Sequence, residues 1–504
     1  MSCISLKSKC MPQSKRQSPI QTFLKSKKDY PLLAGVLAGS YPVFFYATNN
    51  YTLVNTLGHV LYFVGFFIVL PTVIIYGVYH LSKRIKNGAF TKYVIPVLGS
   101  FFFLFYMHIG VYGSLKKKIS LGLLLLACVA GYFLWKHSKK LLVIQAILGL
   151  IGLVTFIPKP FQALSYNDSW QQQPDNITDV QFTTKPNVYF IQPDGYVNFS
   201  ELYTGHYKVQ DSTLQQYLSP QGFDFYPDFR SNYASTLTSN SATFMMKHHY
   251  YDKGLSLETF NARNLIVSDN PVLSIFKNNG YKTHFLTELP YLLLNRPEMG
   301  FDYCNIPYSD VAYLGTGLGK RVDIIPPLEM ALTEDAQTPK FFFIEIFNPG
   351  HIHGNKSASL GVAGERELWI ESMEMANERV IETISAIKAQ DKNALIVIMA
   401  DHGGYVGMEY TGEIYTKTQE RDLLYSVFSS NLAIHWPDGE KRGEAHLKSA
   451  VNLFRVLFSY LGNNNKFLEH TEENASYVVI KKDAPQGVYQ CIDNEGEIVF
   501  IKQD

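Results

Sequence analysis

"IVIMADHGGYVG", residues 396–407, climbs through wholly apolar, largely β-branched residues and ends on Asp401, His402 and two glycines. A strand apolar on both faces is covered on both faces, which is the habit of largely parallel sheets held between layers of helices. In such sheets ligands bind beyond the carboxyl ends of the strands. An aspartate and a histidine delivered to that edge are placed for chemistry, although each alone reads equally as a turn or cap residue.

The same pattern recurs on either side. "NVYFIQP" (187–193), "YKTHFLTE" (281–288), "KFFFIEIF" (340–347) and "NLAIHW" (431–436) read as further strands. Helices are predicted near 211–219, 237–247, 271–278, 364–390 and 446–461. The alternation predicts an α/β domain with a mostly parallel central sheet. The tail segments "YVVIKK", "GVYQCI" and "EIVFIK" predict a small antiparallel C-terminal appendage.

The first strand repeats the delivery, since "YFIQPDGY" (189–196) brings Asp194 and then Gly195 to the same edge. Two carboxylates and an imidazole suit one divalent metal ion. Oxygen-rich ligation favours Mn²⁺ or Mg²⁺, and the histidine also admits Zn²⁺. Between these strands, "SNYASTLTSNSATFMMKHHYY" (231–251) sets Ser235, Thr236, Thr238 and Ser239 at the start of a helix. Free N–H groups there welcome a phosphoryl or sulfuryl oxygen. A hydroxyl in that place is usually a cap, but a neighbouring metal lowers its pKa and makes it a nucleophile. "EIFNPGHIHGN" (345–355) adds His351 and His353 after another strand.

The chain of 504 residues is 46% hydrophobic, with Lys+Arg 45 against Asp+Glu 44 and a net charge of +1. That balance lacks the basic stripe of a nucleic-acid binder. Five apolar runs, roughly 31–48, 57–80, 93–112, 119–135 and 141–158, approach the ~20 residues a membrane helix needs. The expected plan is a basic cytoplasmic tail (1–30), a five-helix transmembrane domain (31–158), a linker (159–186) and an extracytoplasmic domain (187–504). "FQALSYNDSWQQQPDNITDVQFTTKP" (161–186), polar and Gln-rich, is the linker sequence.

Orientation comes from the basic residues. Lys7, Lys9, Lys15, Arg16, Lys25, Lys27 and Lys28 in the tail share a side with Lys83, Arg84, Lys86 and Lys92, and with Lys136, Lys139 and Lys140. Against this stands the triplet Lys116, Lys117, Lys118. An odd number of spans places the chain after Pro158 outside the cytoplasm. Cys304 and Cys491 then lie in a compartment that permits pairing, or are two buried thiols. The absence of C-x-x-C or Cys/His spacing argues against a structural zinc site.

Taken together, "PNVYFIQPDGY", "SNYASTLTS", "ALIVIMADHGG" and "LKSAVNLFRVLF" resemble the sulfatase-like branch of the alkaline phosphatase superfamily. The plan is similar to that of the membrane-embedded bacterial phosphotransferases, lipoteichoic acid synthases and phosphoethanolamine transferases. The resemblance implies Asp194, Thr236, Asp401 and His402 as ligands of one divalent metal, with Thr236 also the nucleophile. Thr236 is preferred to Ser235 because the family's N-Y-x-x pattern is matched by Asn232 and Tyr233. Lipoteichoic acid synthases usually carry Glu where this chain has Asp194. His351 is expected to bind the substrate phosphate or act as general acid, with His353 and Asn232 as further substrate-binding residues. Phe347 and Asn348 stand where two-metal relatives place an aspartate, so one metal is expected.

The C/S-x-P-x-R context of sulfatases is absent around "STLTS". The implied activity moves a phospho-substituent, such as phosphoglycerol or phosphoethanolamine, from a membrane phospholipid to an envelope glycan or glycolipid. The implied setting is the bacterial cytoplasmic membrane, crossed several times, with the catalytic domain outside. The alternatives are a membrane-anchored phosphodiesterase, phosphatase or sulfuric-ester hydrolase of the same superfamily, and an inactive scaffold in envelope polysaccharide assembly.

Overall fold

A computed structural model describes residues 18–253, 259–334, 337–440 and 442–503. Lys7, Lys9, Lys15 and Arg16 of the basic tail, with Cys3 and Cys10, lie outside the described residues. The chain divides into two compact units, Met1–Leu164 and Ser165–Asp504.

In the first unit, four helical stretches among the described residues are long and apolar enough to cross a bilayer. They are α1 (Pro31–Asn49), α2 (Leu57–Ser82), α3 (Thr91–Tyr112) and a stretch over Lys117–Gln171. The last holds two of the expected runs, α4 (Lys117–Leu134) and α5 (Ser138–Phe156), joined by one 3₁₀ turn at Trp135–His137. Lys136 and His137 interrupt the hydropathy but do not break helical winding, so two apolar runs merge into one bent stretch. The halves pack on different partners, α4 on α3 and α5 on α1.

The second unit is built on seven strands: β1 (Val188–Pro193), β2 (Asp224–Phe225), β3 (Lys282–Thr287), β4 (Tyr303–Cys304), β5 (Lys340–Ile346), β6 (Leu395–Met399) and β7 (Leu432–His435). Their order is β2-β7-β6-β1-β5-β3-β4. The pairings from β6 through β4 are parallel, while β7 and β2 run antiparallel at one edge. A second sheet of β8 (Ser476–Ile480), β9 (Gly487–Ile492) and β10 (Ile498–Lys502) is antiparallel throughout.

β1 is buried along its whole length because both of its faces carry aromatic ladders. Register sets Phe190 beside Phe343 and Phe343 beside Phe285, with stacked rings 5.4 and 5.1 Å apart. On the opposite face Tyr189, Phe342 and His284 stack at 4.9 and 4.7 Å. Helices cover both faces, as period-2 burial with no polar face requires. These are α6 (Thr213–Leu218), α7 (Thr236–Met245), α8 (Pro271–Asn278), α9 (Gly361–Gln390) and α10 (Leu453–Leu461). Phe244 of α7 and Phe454 of α10 pack on Phe190. Trp369, Met373, Ala376, Val380, Ile384 and Ile387 form the buried stripe of α9, at spacings of three and four that mark one helix face.

One feature departs from the expected plan. The segment read as linker folds onto the second unit: Ile177, Val180 and Phe182 are buried, and the Phe182 ring stacks on Phe458 of α10 at 5.7 Å. Asp175 meets the buried Arg455 of α10 at 2.7 Å. Three apolar side chains spaced through a polar stretch are enough to anchor it. Cys304 and Cys491 are unpaired, each thiol donating to a backbone carbonyl, of Ile306 and Ser476 respectively.

One polar side chain interrupts the apolar β1. Gln192 is buried and exchanges two amide hydrogen bonds with Asn240 of α7, both 2.7 Å. This pair pins α7 to the strand that carries Asp194. Removing one partner leaves the other amide buried and unsatisfied, at a cost of about 1–3 kcal/mol. Gln192→Leu is expected to lower the thermal midpoint, and adding Asn240→Leu is expected to cost less than the sum of the two single changes; strict additivity in thermal unfolding contradicts the pairing.

Candidate functional site

β1 hands the chain to Asp194, whose N–H donates to Ile346 O and whose carbonyl accepts from Gly350 N–H, both at 2.8 Å. The ladder between β1 and β5 thus continues past the strand ends. Gly195 follows at φ +67°, and a Cβ there would lie 2.1 Å from Gly350 O, so only glycine permits the approach. On the other side of β1, β6 delivers Asp401 and His402, both fully buried. Gly404 just beyond them lies under Trp369, where a Cβ would sit 2.0 Å from its indole nitrogen.

Asp401 Oδ1 accepts two backbone N–H bonds, from Gly195 at 3.1 Å and His402 at 3.0 Å. Its Oδ2 has no hydrogen-bond partner, and neither has Asp194 Oδ1. His402 Nδ1 faces Gly403 O at 2.8 Å. A carbonyl can only accept, so Nδ1 carries the proton and directs the ring. Nε2 then points at Asp194 Oδ1 (3.6 Å) and Asp401 Oδ2 (3.3 Å). One ligand atom from each of the three residues falls within 4.8 Å of the others. Two carboxylate oxygens and an imidazole nitrogen, buried and converging, form a donor set that fits a divalent cation.

The electrostatics carry the same message. Burial and the neighbouring Asp401 push Asp194 up to about 7, against the pull of His402 and Arg321. Burial drags His402 down, yet the two carboxylates outweigh it and hold its pKa above the ordinary histidine value. Glu345, beside Gln192 in the register of β5, is buried with Oε1 unpartnered while Oε2 accepts from Thr287 Oγ1 at 2.8 Å. Burial, with Asp194, Asp401 and Glu288 nearby, raises its pKa well above the usual carboxylate range.

Thr236 is the first residue of α7, with Ser235 as an extended N-cap. The Ser235 hydroxyl meets Thr238 Oγ1 at 2.8 Å instead of capping the helix. No described residue hydrogen-bonds the Thr236 hydroxyl. The loop before it is tied to the loop that carries Asp401 and His402 by the Tyr405 side chain, whose O–H donates to Ala234 O. The Tyr405 ring stands edge-on to His402 at 5.8 Å and to His351 at 5.9 Å.

His351 is the histidine that joins the cluster, its ring centroid 6.1 Å from that of His402. Its Nδ1 donates to Ile352 O at 2.7 Å, leaving Nε2 free. His353 turns elsewhere, with Nδ1 2.9 Å from the buried Glu365. Both histidines line a pocket of about 370 Å³ with Trp369, Leu368 and Ser372. Asn232, expected to touch substrate, is buried and fully used by the protein: it donates to Ala475 O and accepts from Val451 N–H, both at 2.8 Å. It braces the loop that leads to Thr236. Its partners lie 243 and 219 residues away in the sequence, so no local pattern marks the role.

Three residues escaped the sequence reading. Glu345 had a signal, a lone charge inside the apolar "KFFFIEIF". Glu288 also had one, a carboxylate at the carboxyl end of the predicted strand "YKTHFLTE", whereas Arg321 had none, since only the sheet brings it to the Asp194 edge. Arg321 donates to Phe347 O at 3.1 Å and pairs with Glu288 at 3.5 Å.

No family model matches the sequence, and no curated protein does. Among solved structures, the chain is similar to the C-terminal periplasmic domain of EcEptC from Escherichia coli in two structures, one in complex with Zn. Their TM-scores are 0.40 and 0.39, with 11% and 10% identity, each covering 62% of this chain and 94% of that one. It is also similar to the C-terminal periplasmic domain of phosphoethanolamine transferase EptC from Campylobacter jejuni (TM-score 0.35, 15% identity, 55% of this chain and 90% of that one). A Bacteroides fragilis protein proposed to be a sulfatase gives a TM-score of 0.39 at 13% identity, over 58% of this chain and 81% of that one. At such identities, substrate and chemistry are read from this chain's own side chains.

The titration of the cluster has a measurable sign. Without a cation, Asp194 loses its proton as pH rises through about 7 and leaves a buried charge that weakens the fold. Below that pH a proton competes with the metal. Mn²⁺ is therefore expected to raise the thermal midpoint more at pH 8 than at pH 6, and an equal rise at both contradicts the site.

Proposed function

We propose that the chain is a metal-dependent phosphotransferase of the bacterial cytoplasmic membrane, moving a phospho-substituent such as phosphoglycerol or phosphoethanolamine from a phospholipid to an envelope glycan or glycolipid. The observation that carries this reading is a helix-heading threonine with a free hydroxyl, tied through Tyr405 to the loop of a buried Asp–Asp–His cluster. Five membrane spans, with α4 and α5 as separate passes, put the catalytic unit outside the cytoplasm beside its lipid donor, in keeping with the basic residues on the opposite side.

Asp194, Asp401 and His402 would hold the ion, with Thr236 as a further ligand. When bound, the ion supplies Lewis acidity that lowers the pKa of the threonine hydroxyl and offsets negative charge on the phosphoryl oxygens. The Thr236 hydroxyl gives up its proton to solvent, its Oγ attacks phosphorus, a Thr–O–P bond forms, and the bond to the diacylglycerol oxygen breaks. His351, on the cluster's rim and protonated at both ring nitrogens for this step, passes its Nε2 proton to that departing oxygen. The N–H groups at the start of α7 face the phosphoryl oxygens. In the second half, an acceptor hydroxyl attacks the phospho-threonine, His351 takes its proton, and Thr236 is regenerated.

Diacylglycerol release from phospholipid vesicles by the full-length protein tests this. Release is expected to need Mn²⁺, to stop with EDTA and to fall at least about 100-fold in Thr236→Ala, the scale of losing an activated nucleophile. The headgroup consumed names the donor. A metal-loaded protein that releases no diacylglycerol from any common phospholipid contradicts the lipid donor. Equal product without a glycan acceptor assigns the chain to phosphodiesterases instead.

A further inference from the structure

Arg321 stands at the same sheet edge with no role in the mechanism above. It is nearly half exposed, at 44% of its side chain, and each terminal nitrogen makes one contact, to Glu288 and to Phe347 O, so that further N–H donors stay without a partner among the described residues. What holds it is unusually rigid. Glu288, directly after β3, is a carboxylate only 4% exposed that accepts Phe347 N–H at 2.8 Å and meets Arg321 Nη1 at 3.5 Å. The backbone adds a second tie, Val322 N–H to Glu288 O at 2.9 Å. Arg321 Nη2 donates to Phe347 O at 3.1 Å. Phe347 follows Ile346, whose carbonyl takes the Asp194 N–H. The guanidinium therefore lies one residue along β5's exit from the metal-binding aspartate.

Its neighbour Arg379 serves as an internal contrast. Arg379 also meets Glu288, at 3.5 Å, but Asp323 and Glu382 each bind it at 2.9 Å, so its charge is spent within the protein. Arg321 is held by one carboxylate at long range and keeps donors to spare. A site that buries Asp194, Asp401 and Glu345 needs a fixed positive group to accept an anionic substrate. The planar fork of arginine matches two phosphoryl oxygens, which a lysine cannot do.

We infer that Arg321 is the anion clamp of this site, binding the phosphoryl oxygens that the metal cluster and His351 leave free, with Glu288 as the positioning residue that fixes it. The inference rests on the phosphoryl-transfer reading of the same site and adds the group that recognises the charge of the substrate.

Inorganic phosphate titrated calorimetrically into the Mn²⁺-loaded, full-length protein in detergent is the probe. Arg321→Ala is expected to weaken phosphate binding by about 10- to 100-fold, the range for losing a charge-assisted pair, with Mn²⁺ affinity unchanged. Arg321→Lys is expected to recover only part of that loss, since the charge remains but the fork does not. Glu288→Gln is expected to weaken phosphate again while Mn²⁺ binding persists, and to raise KM for phospholipid more than it lowers kcat. Phosphate affinity unchanged in Arg321→Ala, or a wild type that takes Mn²⁺ but no phosphate, overturns the clamp. Phosphate binding that depends on Arg321, in a protein that releases no diacylglycerol, sustains the clamp and removes the lipid-transfer reading instead.

Discussion

Two carboxylates, Asp194 and Asp401, stand side by side in the interior with one oxygen each unpaired. Like charges within 4.8 Å of one another repel by about 3 kcal/mol or more at an effective dielectric near 20. A folded chain keeps such a pair only if protons or a cation lie between them. His402, aimed at both oxygens through Nε2 with Nδ1 already committed to Gly403 O, makes the cation the better answer. The surrounding architecture follows from that demand. Parallel neighbours β1 and β6 end at the same level and so deliver both acids together. Gly195 lets the exits of β1 and β5 approach closely, and the N–H groups of Gly195 and His402 occupy one Asp401 oxygen, leaving the other to the cluster.

The helix headed by Thr236 is attached to this centre by two ties of different kinds. The Gln192–Asn240 amide pair locks α7 to β1 from inside the core, and Tyr405 locks the preceding loop from above. Asn232 stiffens the same loop from the side of the small sheet, through Ala475 and Val451. A free threonine hydroxyl is thereby held by a framework in which it has no part itself. This is preorganisation in the sense that matters for catalysis, where the supporting residues lose their freedom before substrate arrives.

Much of this could be read in the sequence, for reasons tied to particular residues. Strands such as "ALIVIMA" are legible because burial on both faces leaves no polar position to confuse the period. The glycines after Asp194 and Asp401 mark where the chain must turn at close quarters. The two-residue edge strands Asp224–Phe225 and Tyr303–Cys304 are too short to carry a period, and the helix at Ile325–Thr333 is disguised by prolines in its first turn. The fold of Ile177, Val180 and Phe182 onto α10 hides in a polar stretch. Asn232 was legible as a member of the site but not as its brace, since backbone partners more than 200 residues away decide its role. Glu288 closes the predicted strand "YKTHFLTE" but Arg321 belongs to no local pattern, and only the order β5-β3 in the sheet brings them near Asp194.

The proposed reaction draws its donor from a bilayer and passes the group to an acceptor outside it. The central claim is that Thr236 itself carries the transferred group between them. Intact-protein and peptide mass spectrometry after brief exposure of the Mn²⁺-loaded protein to phospholipid vesicles, without acceptor, tests it most directly. The account predicts a phospho-substituent adduct on the peptide bearing Thr236, absent in Thr236→Ala and retained in Ser235→Ala. Turnover with no adduct at Thr236, or an adduct that moves to Ser235, contradicts it.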